Sequence, residues 1–381
     1  MSMKSVLILF VLALAYSATC NAQSVAPFET KARQAYLLEA NTGAVLYSKN
    51  SDTQMPTSSM SKMMTMYLVF DAIKNGKIHM DTALSVSEHA WKQEGSRMFL
   101  NVGQSVKVED LVRGVIVQSG NDAAVTFAEA LGSGSESSFA ESMNIKAKQL
   151  GMINSHFMNA TGLPDPSHYS TAHDLAILAL ALMHDFPEDY HFFSELEFSY
   201  NGIKQGNRNP LLYRNMNVDG LKTGHTDIGG YGLTVSSLRD GRRLILVLNG
   251  LSDMQARADE SARLLDWGYR EYGLYTVAKA HDRVVDAAVW LGEEKTVPLI
   301  VDQDVLLSLP RSARSGLKAT VVYTQPVSAP LSQGQKVGHL IITALGYPTR
   351  DIDLVAGTDV PEIGFFARIA TRLHYFFEHR A

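Results

Sequence analysis

Pro56-Thr57-Ser58-Ser59-Met60-Ser61-Lys62-Met63-Met64-Thr65 sets the terms on which the rest of the chain is read. Ser59 and Lys62 stand three positions apart, and an apolar run from Met63 to Phe70 comes directly after them. Pro56 and the Ser/Thr cluster are helix-start signals, so a helix is expected from about Ser59 to Asn75. Residues i and i+3 of a helix share one face. The spacing therefore sets an amine beside a hydroxyl, which suits a serine nucleophile that has no histidine as its base.

The pair alone is weak, because Ser315-Gly316-Leu317-Lys318 repeats the spacing. Downstream residues distinguish the two. Ser119-Gly120-Asn121 and then Lys222-Thr223-Gly224 come after Ser59, and nothing comparable comes after Ser315. Lys-Thr-Gly occurs once, whereas Ser48-Lys49-Asn50, Ser142-Met143-Asn144 and Ser199-Tyr200-Asn201 also fit Ser-x-Asn. Ser119 is preferred because it falls between two helical patterns, Val108 to Gln118 and Asp122 to Leu131. Side chains on such a connection can point into a cleft.

The chain has 381 residues and 46% hydrophobic content, enough for one large and one smaller core. A net charge of −5 and no basic cluster interleaved with aromatics disfavour a nucleic-acid partner. Residues 1–22 read as a secretory signal: Lys4, an apolar Val6 to Ala15 too short to span a bilayer, and Cys20-Asn21-Ala22 as a small-x-small cleavage site. Cys20 is the only cysteine, so the mature chain is expected to use no disulfides. The histidines are scattered, no H-E-x-x-H is present and no phosphate loop opens a helix. No metal and no cofactor is implied.

Residues 33–48 read as a hairpin turning at Asn41-Thr42-Gly43. Residues 76–107 read as loops and short strands, Gly95 to Leu100 among them. Phe139–Leu150 and Thr171–Met183 are helical patterns, the latter opened by Thr171 and Asp174 as a capping box with Asp in place of Glu. From Val218 the pattern changes. The Lys222 segment leads into strands at Tyr231–Leu238 and Arg242–Gly250 around an Arg239-Asp240-Gly241 turn, and then into a helix over Met254–Tyr272. The expected fold is α+β, a helical cluster on an antiparallel sheet built from both ends of a domain at 23–274. Short strand patterns at Val284–Leu291, Val305–Leu309, Ala319–Tyr323, Val337–Thr343 and Ile352–Val355 then imply a small all-β domain at 275–360, expected to be a sandwich.

The tail, 361–381, differs again. At 100° per residue Ile363, Phe365, Phe366, Ile369, Ala370, Leu373, Phe376 and Phe377 gather on one side, and Arg368, Arg372 and His379 on the other. That pattern predicts a helix lying in a membrane surface; the competing reading is a helix docked on its own protein.

Taken together, motifs in this order, a β-rich second domain and an amphipathic tail resemble a low-molecular-mass penicillin-binding protein of the D-alanyl-D-alanine carboxypeptidase type. The resemblance covers nearly the whole mature chain, and Gln118–Asp122 and Val218–Thr226 extend it. It implies a serine enzyme that removes the terminal D-alanine of peptidoglycan pentapeptides on the periplasmic side of the inner membrane and is inhibited by β-lactams. By the same resemblance Ser59 is the nucleophile and Lys62 its base, kept neutral by burial or by Lys222 as a neighbouring cation. Ser119 relays a proton to the leaving amine, Asn121 holds the substrate, and Lys222 and Thr223 meet its carboxylate. Gly224 permits close backbone approach. The backbone N–H groups of Ser59 and His225 form the oxyanion hole. Arg257 matches an arginine that binds the terminal carboxylate, its bland alternative being a surface pair with Asp259 or Glu260.

Three other readings stay open. A class A β-lactamase carries Asp where this chain has Gly120 and needs a glutamate that residues 160–175 lack. A D,D-endopeptidase shares the motifs. A non-catalytic envelope protein that binds peptidoglycan would not need Ser59, Lys62 and Lys222 intact.

Overall fold

The computed structural model describes residues 28–378, and the signal-sequence reading lies outside them. They fall into two compact units, 28–270 and 271–378.

In the first unit a five-stranded antiparallel sheet runs, in spatial order, 44–49, 34–39, 242–251, 230–239 and 218–226. The first hairpin of the unit thus pairs with its last, with Tyr36 opposite Val247 and Leu38 opposite Ile245. Glu39 and Arg242 form a buried ion pair across the same two strands. Alternation along the strands separates the two faces. Tyr36, Leu38, Ile245 and Val247 join the core of the helical cluster. Leu37 and Leu244 meet the helix Met254–Glu271, where a Cβ on Gly268 would come within 2.6 Å of Leu37. The sheet is therefore the middle of three layers.

Helix Lys62–Lys74 lies at the centre of the cluster and is buried nearly all round, through Met63, Met64, Met66, Val69 and Phe70. Helices Val108–Ile116, Asn121–Leu131, Glu136–Gln149 and Ala172–Asp185 surround it. Thr171 caps the last of these by accepting the Asp174 N–H. Asp174 does not complete the box: its carboxylate takes Asn154 N–H and the Ser155 hydroxyl instead. Gly95–Leu100 is irregular rather than a strand, because its backbone is held by the Asp122 carboxylate and not by a neighbouring strand.

The second unit is all-β apart from a 3₁₀ turn and the tail helix. Its larger sheet orders 318–323, 336–343, 350–356, 296–300, 283–290 and 327–328, and strands 272–278 and 305–310 form a separate pair. One core, including Val297, Leu299, Leu307, Leu309, Leu340 and Leu354, draws on both sheets. Three strands were not legible in the sequence, the two-residue Val327–Ser328 being too short to leave a pattern. Thr296–Ile300 contains Pro298, which argues against a strand; the ladder to 350–356 is paired only from Leu299, so the missing N–H falls at its end. Tyr272–Ala278 continues from the preceding helix without a linker. On the sheet surface Lys336 pairs with Asp353, and His339 Nδ1 lies 2.7 Å from the Asp351 carboxylate.

The tail helix runs Phe365–Glu378. Phe365, Phe366, Ile369, Leu373 and Phe376 are exposed, Phe366 by 85%. Among the described residues no helix is long and apolar enough to cross a membrane.

Candidate active site

Ser59 belongs to a 3₁₀ turn, Ser58–Ser61, that runs straight into the helix beginning at Lys62. A 3₁₀ turn has three residues per turn, so i and i+3 eclipse. That local geometry, rather than a regular α-turn, sets Lys62 Nζ 3.0 Å from Ser59 Oγ. Ser58 sits at φ +51° and Ser119 at φ +59°, both left-handed for residues with a Cβ. Each conformation costs on the order of 1–3 kcal/mol and persists only where surrounding contacts impose it.

Lys62 is completely buried. Its ammonium donates to Ser59 Oγ, to Asn121 Oδ1 at 2.7 Å and to the Thr161 carbonyl at 2.6 Å. Burial is the first cause that brings its pKa down, to about 7, and the Arg208 guanidinium adds to it. Lys222, also buried, donates to Ser119 Oγ at 2.9 Å. Its pKa is held well down by burial first, then by Lys62, Arg208 and Arg257. This revises the expected division of labour: desolvation depresses both amines, and Lys222 is not the principal cation acting on Lys62.

The Lys222 strand lies at the edge of the sheet, with its free side towards the Ser58–Ser61 turn. A Cβ on Gly224 would lie 2.6 Å from the Thr57 carbonyl and 3.2 Å from Ser58 Cβ, so only glycine allows this approach. Thr223 is buried beside Lys222. His225 is exposed, its ring stacked on Tyr231 at 3.9 Å.

Asn121 is the first residue of its helix and nearly buried. Its Oδ1 accepts from Lys62, and its Nδ2 donates to the Glu94 carbonyl at 2.6 Å. Both ends of its amide thus have partners within the protein, and the Oδ1 contact holds the Lys62 amine in place. Arg257 is buried, its guanidinium 5.5 Å from the Tyr231 ring centroid, and its Nε has no hydrogen-bond partner. The surface-pair alternative fails, since Asp259 pairs with Arg214 and Glu260 with Arg263, Thr30 and the Lys31 N–H. Burial brings the Arg257 pKa down to about 10.

Two contributors were not singled out from the sequence. Arg208 reaches Ser96 from a polar loop that carries no distinguishing pattern. Thr161 acts through its backbone carbonyl, which its residue type does not reveal. The decoys separate cleanly. Ser315 ends in an exposed 3₁₀ turn and Lys318 opens a strand, so their spacing is not helical. Ser199 lies exposed in a hairpin, and Ser142 bonds its own helix at Ser138.

A serine at a helix start, a buried lysine against it and a second lysine held to a strained loop serine define an active-site-serine enzyme of the penicillin-binding class. Comparison with known proteins narrows this. The D-alanyl-D-alanine carboxypeptidase family matches residues 21–252, and the C-terminal domain of penicillin-binding protein 5 matches residues 272–362. The chain is 37% identical over 351 residues to D-alanyl-D-alanine carboxypeptidase DacA of Haemophilus influenzae, covering 91% of this chain and 89% of that protein. It is 38% identical over 368 residues to DacC of Escherichia coli strain K12, covering 94% and 92%. The crystal structure of penicillin-binding protein 5 from Haemophilus influenzae superposes with a TM-score of 0.80 at 37% identity, over 89% of this chain and 100% of that one. The chain belongs to the D-alanyl-D-alanine carboxypeptidase family and is a serine-type carboxypeptidase of peptidoglycan.

Proposed function

We propose that Ser59 is the acylated residue and that Lys62 takes its proton. The observation that carries this reading is the 3.0 Å contact between a fully buried amine and the Ser59 hydroxyl. With its pKa near 7, Lys62 is substantially neutral at neutral pH and can act as a base. Ser59 Oγ attacks the carbonyl between the two terminal D-alanines, and a Ser59 C–O bond forms while its proton passes to Lys62. The C–N bond then breaks. Ser119, held by Lys222, hands a proton to the departing D-alanine amine. Water hydrolyses the ester and regenerates Ser59.

The N–H groups of Ser59 and His225 would stabilise the oxyanion. Arg257 and Thr223 would receive the terminal carboxylate, the guanidinium contributing charge in a water-poor pocket. The same acylation would trap β-lactams; a penicillin-binding protein of Listeria monocytogenes in an ampicillin-bound form superposes on 64% of this chain with a TM-score of 0.59. The tail helix would hold the enzyme at the periplasmic face of the inner membrane, with its exposed phenylalanines as support for that reading. A synthetic peptide ending in D-Ala-D-Ala should lose one alanine mass on incubation with the protein and none with Ser59→Ala. Cleavage at an internal cross-link with the terminal alanine intact would contradict the carboxypeptidase assignment.

A further inference from the structure

The 3₁₀ turn that carries Ser59 has no side-chain cap of its own, and Ser58 holds a strained φ of +51°. Something outside the turn must hold it. Behind Ser59, Thr57 Oγ1 and Ser61 Oγ lie 2.5 Å apart, and Ser61 Oγ lies 2.7 Å from His168 Nε2. All three residues are buried. The Met158 N–H donates to His168 Nδ1 at 3.2 Å. Nδ1 is therefore the acceptor, so Nε2 carries the hydrogen and donates to Ser61 Oγ. Ser61 can then direct its own hydrogen to Thr57. The imidazole is packed edge-on against Phe157, with ring centroids 5.6 Å apart. Burial brings its pKa down to about 4, so this neutral tautomer persists across the working range.

His168 also belongs to the segment that fixes the base. Thr161, seven residues earlier, gives its carbonyl to Lys62, and Gly162 lies so close that a Cβ there would reach 1.8 Å from the Ser58 carbonyl. One loop thus touches Ser58, Ser61 and Lys62, the residues around Ser59.

Resting on the reading of Ser59 as nucleophile, we infer that His168 is a positioning residue for acylation, acting through Ser61 and Thr57 on the turn that aims Ser59 Oγ. It takes no proton in the reaction. A misplacement of about 1 Å can cost on the order of a hundredfold in rate.

The test measures the second-order acylation rate with a fluorescent penicillin, together with kcat, KM and melting temperature, on the full chain. His168→Leu should slow acylation and lower kcat by about a hundredfold with KM little changed. His168→Gln, which keeps an N–H donor, should recover most of the loss at a similar melting temperature. Ser61→Ala should match His168→Leu, and the double variant should be no worse than either. The rise of the wild-type rate through pH 7 should persist in His168→Gln. A folded His168→Leu that acylates at the wild-type rate overturns the inference, as does a Gln variant no better than Leu. Wild-type protein that takes no penicillin at all would instead sink the Ser59 reading itself.

Discussion

Lys222 Nζ stands 2.9 Å from Ser119 Oγ across 103 positions of the chain. A sheet edge and an inter-helix loop supply the two partners, and neither could reach the other without the three-layer packing. The contact joins the second and third motifs as Lys62 joins the first to Asn121. The second and third motifs therefore meet only through tertiary structure, and burial there lowers the pKa of both lysines.

Lys62 is depressed to about 7 in the folded chain from 10.5. In the proposed mechanism the neutral amine is the active form, so kcat/KM should climb about tenfold per pH unit below 7 and level above it. Stability carries the matching sign. Between pH 7 and 10.5 the unfolded chain binds the extra proton, so this contribution is fully present above 10.5 and is lost as pH falls through 7. Melting curves of Lys62→Met against wild type should show the variant's advantage largest near pH 7 and shrinking towards pH 10. A constant difference would mean that Lys62 titrates normally.

Asn121 separates orientation from charge. Asn121→Ala removes the Oδ1 acceptor from Lys62 and should slow acylation by about a hundredfold, with the pH midpoint little moved. Asn121→Asp places a carboxylate against the same ammonium and should shift that midpoint upward. Stopped-flow acylation across pH distinguishes the two; a wild-type profile in both would remove Asn121 from the site.

Arg257 is a buried cation without a carboxylate partner among the described residues. Arg257→Gln should raise KM for a peptide ending in a free carboxylate by about tenfold to a hundredfold, the worth of a charge-assisted hydrogen bond. Steady-state kinetics on the matching C-terminal amide should show almost no difference between the two proteins. An equal loss on both substrates would mean that Arg257 supports the fold.

The tail makes a separable claim. Ending the chain at residue 361 should leave carboxypeptidase turnover unchanged and release the protein from vesicles containing anionic lipid. Retention of the truncated protein on sedimented vesicles would place membrane contact elsewhere.

Much of this was legible because the decisive features are local. Ser59 and Lys62 lie within one turn, Arg239-Asp240-Gly241 marks the hairpin between two apolar-rich strands, and the tail shows its period directly. What escaped was set by the fold. Thr161 contributes a carbonyl that any residue could supply, and His168 reads as an ordinary core histidine until Ser61 is seen beside it. Arg208 lies in a loop without periodicity. The spacing at Ser315 and Lys318 matches the active pair, yet a strand begins where a helix would be needed.

The most direct measurement is peptide mapping by mass spectrometry after benzylpenicillin treatment of the full chain. A penicilloyl mass is predicted on the peptide that carries Ser59, and it should be missing in Ser59→Ala. An unmodified Ser59 peptide with the adduct elsewhere, on Ser315 for instance, would contradict the account.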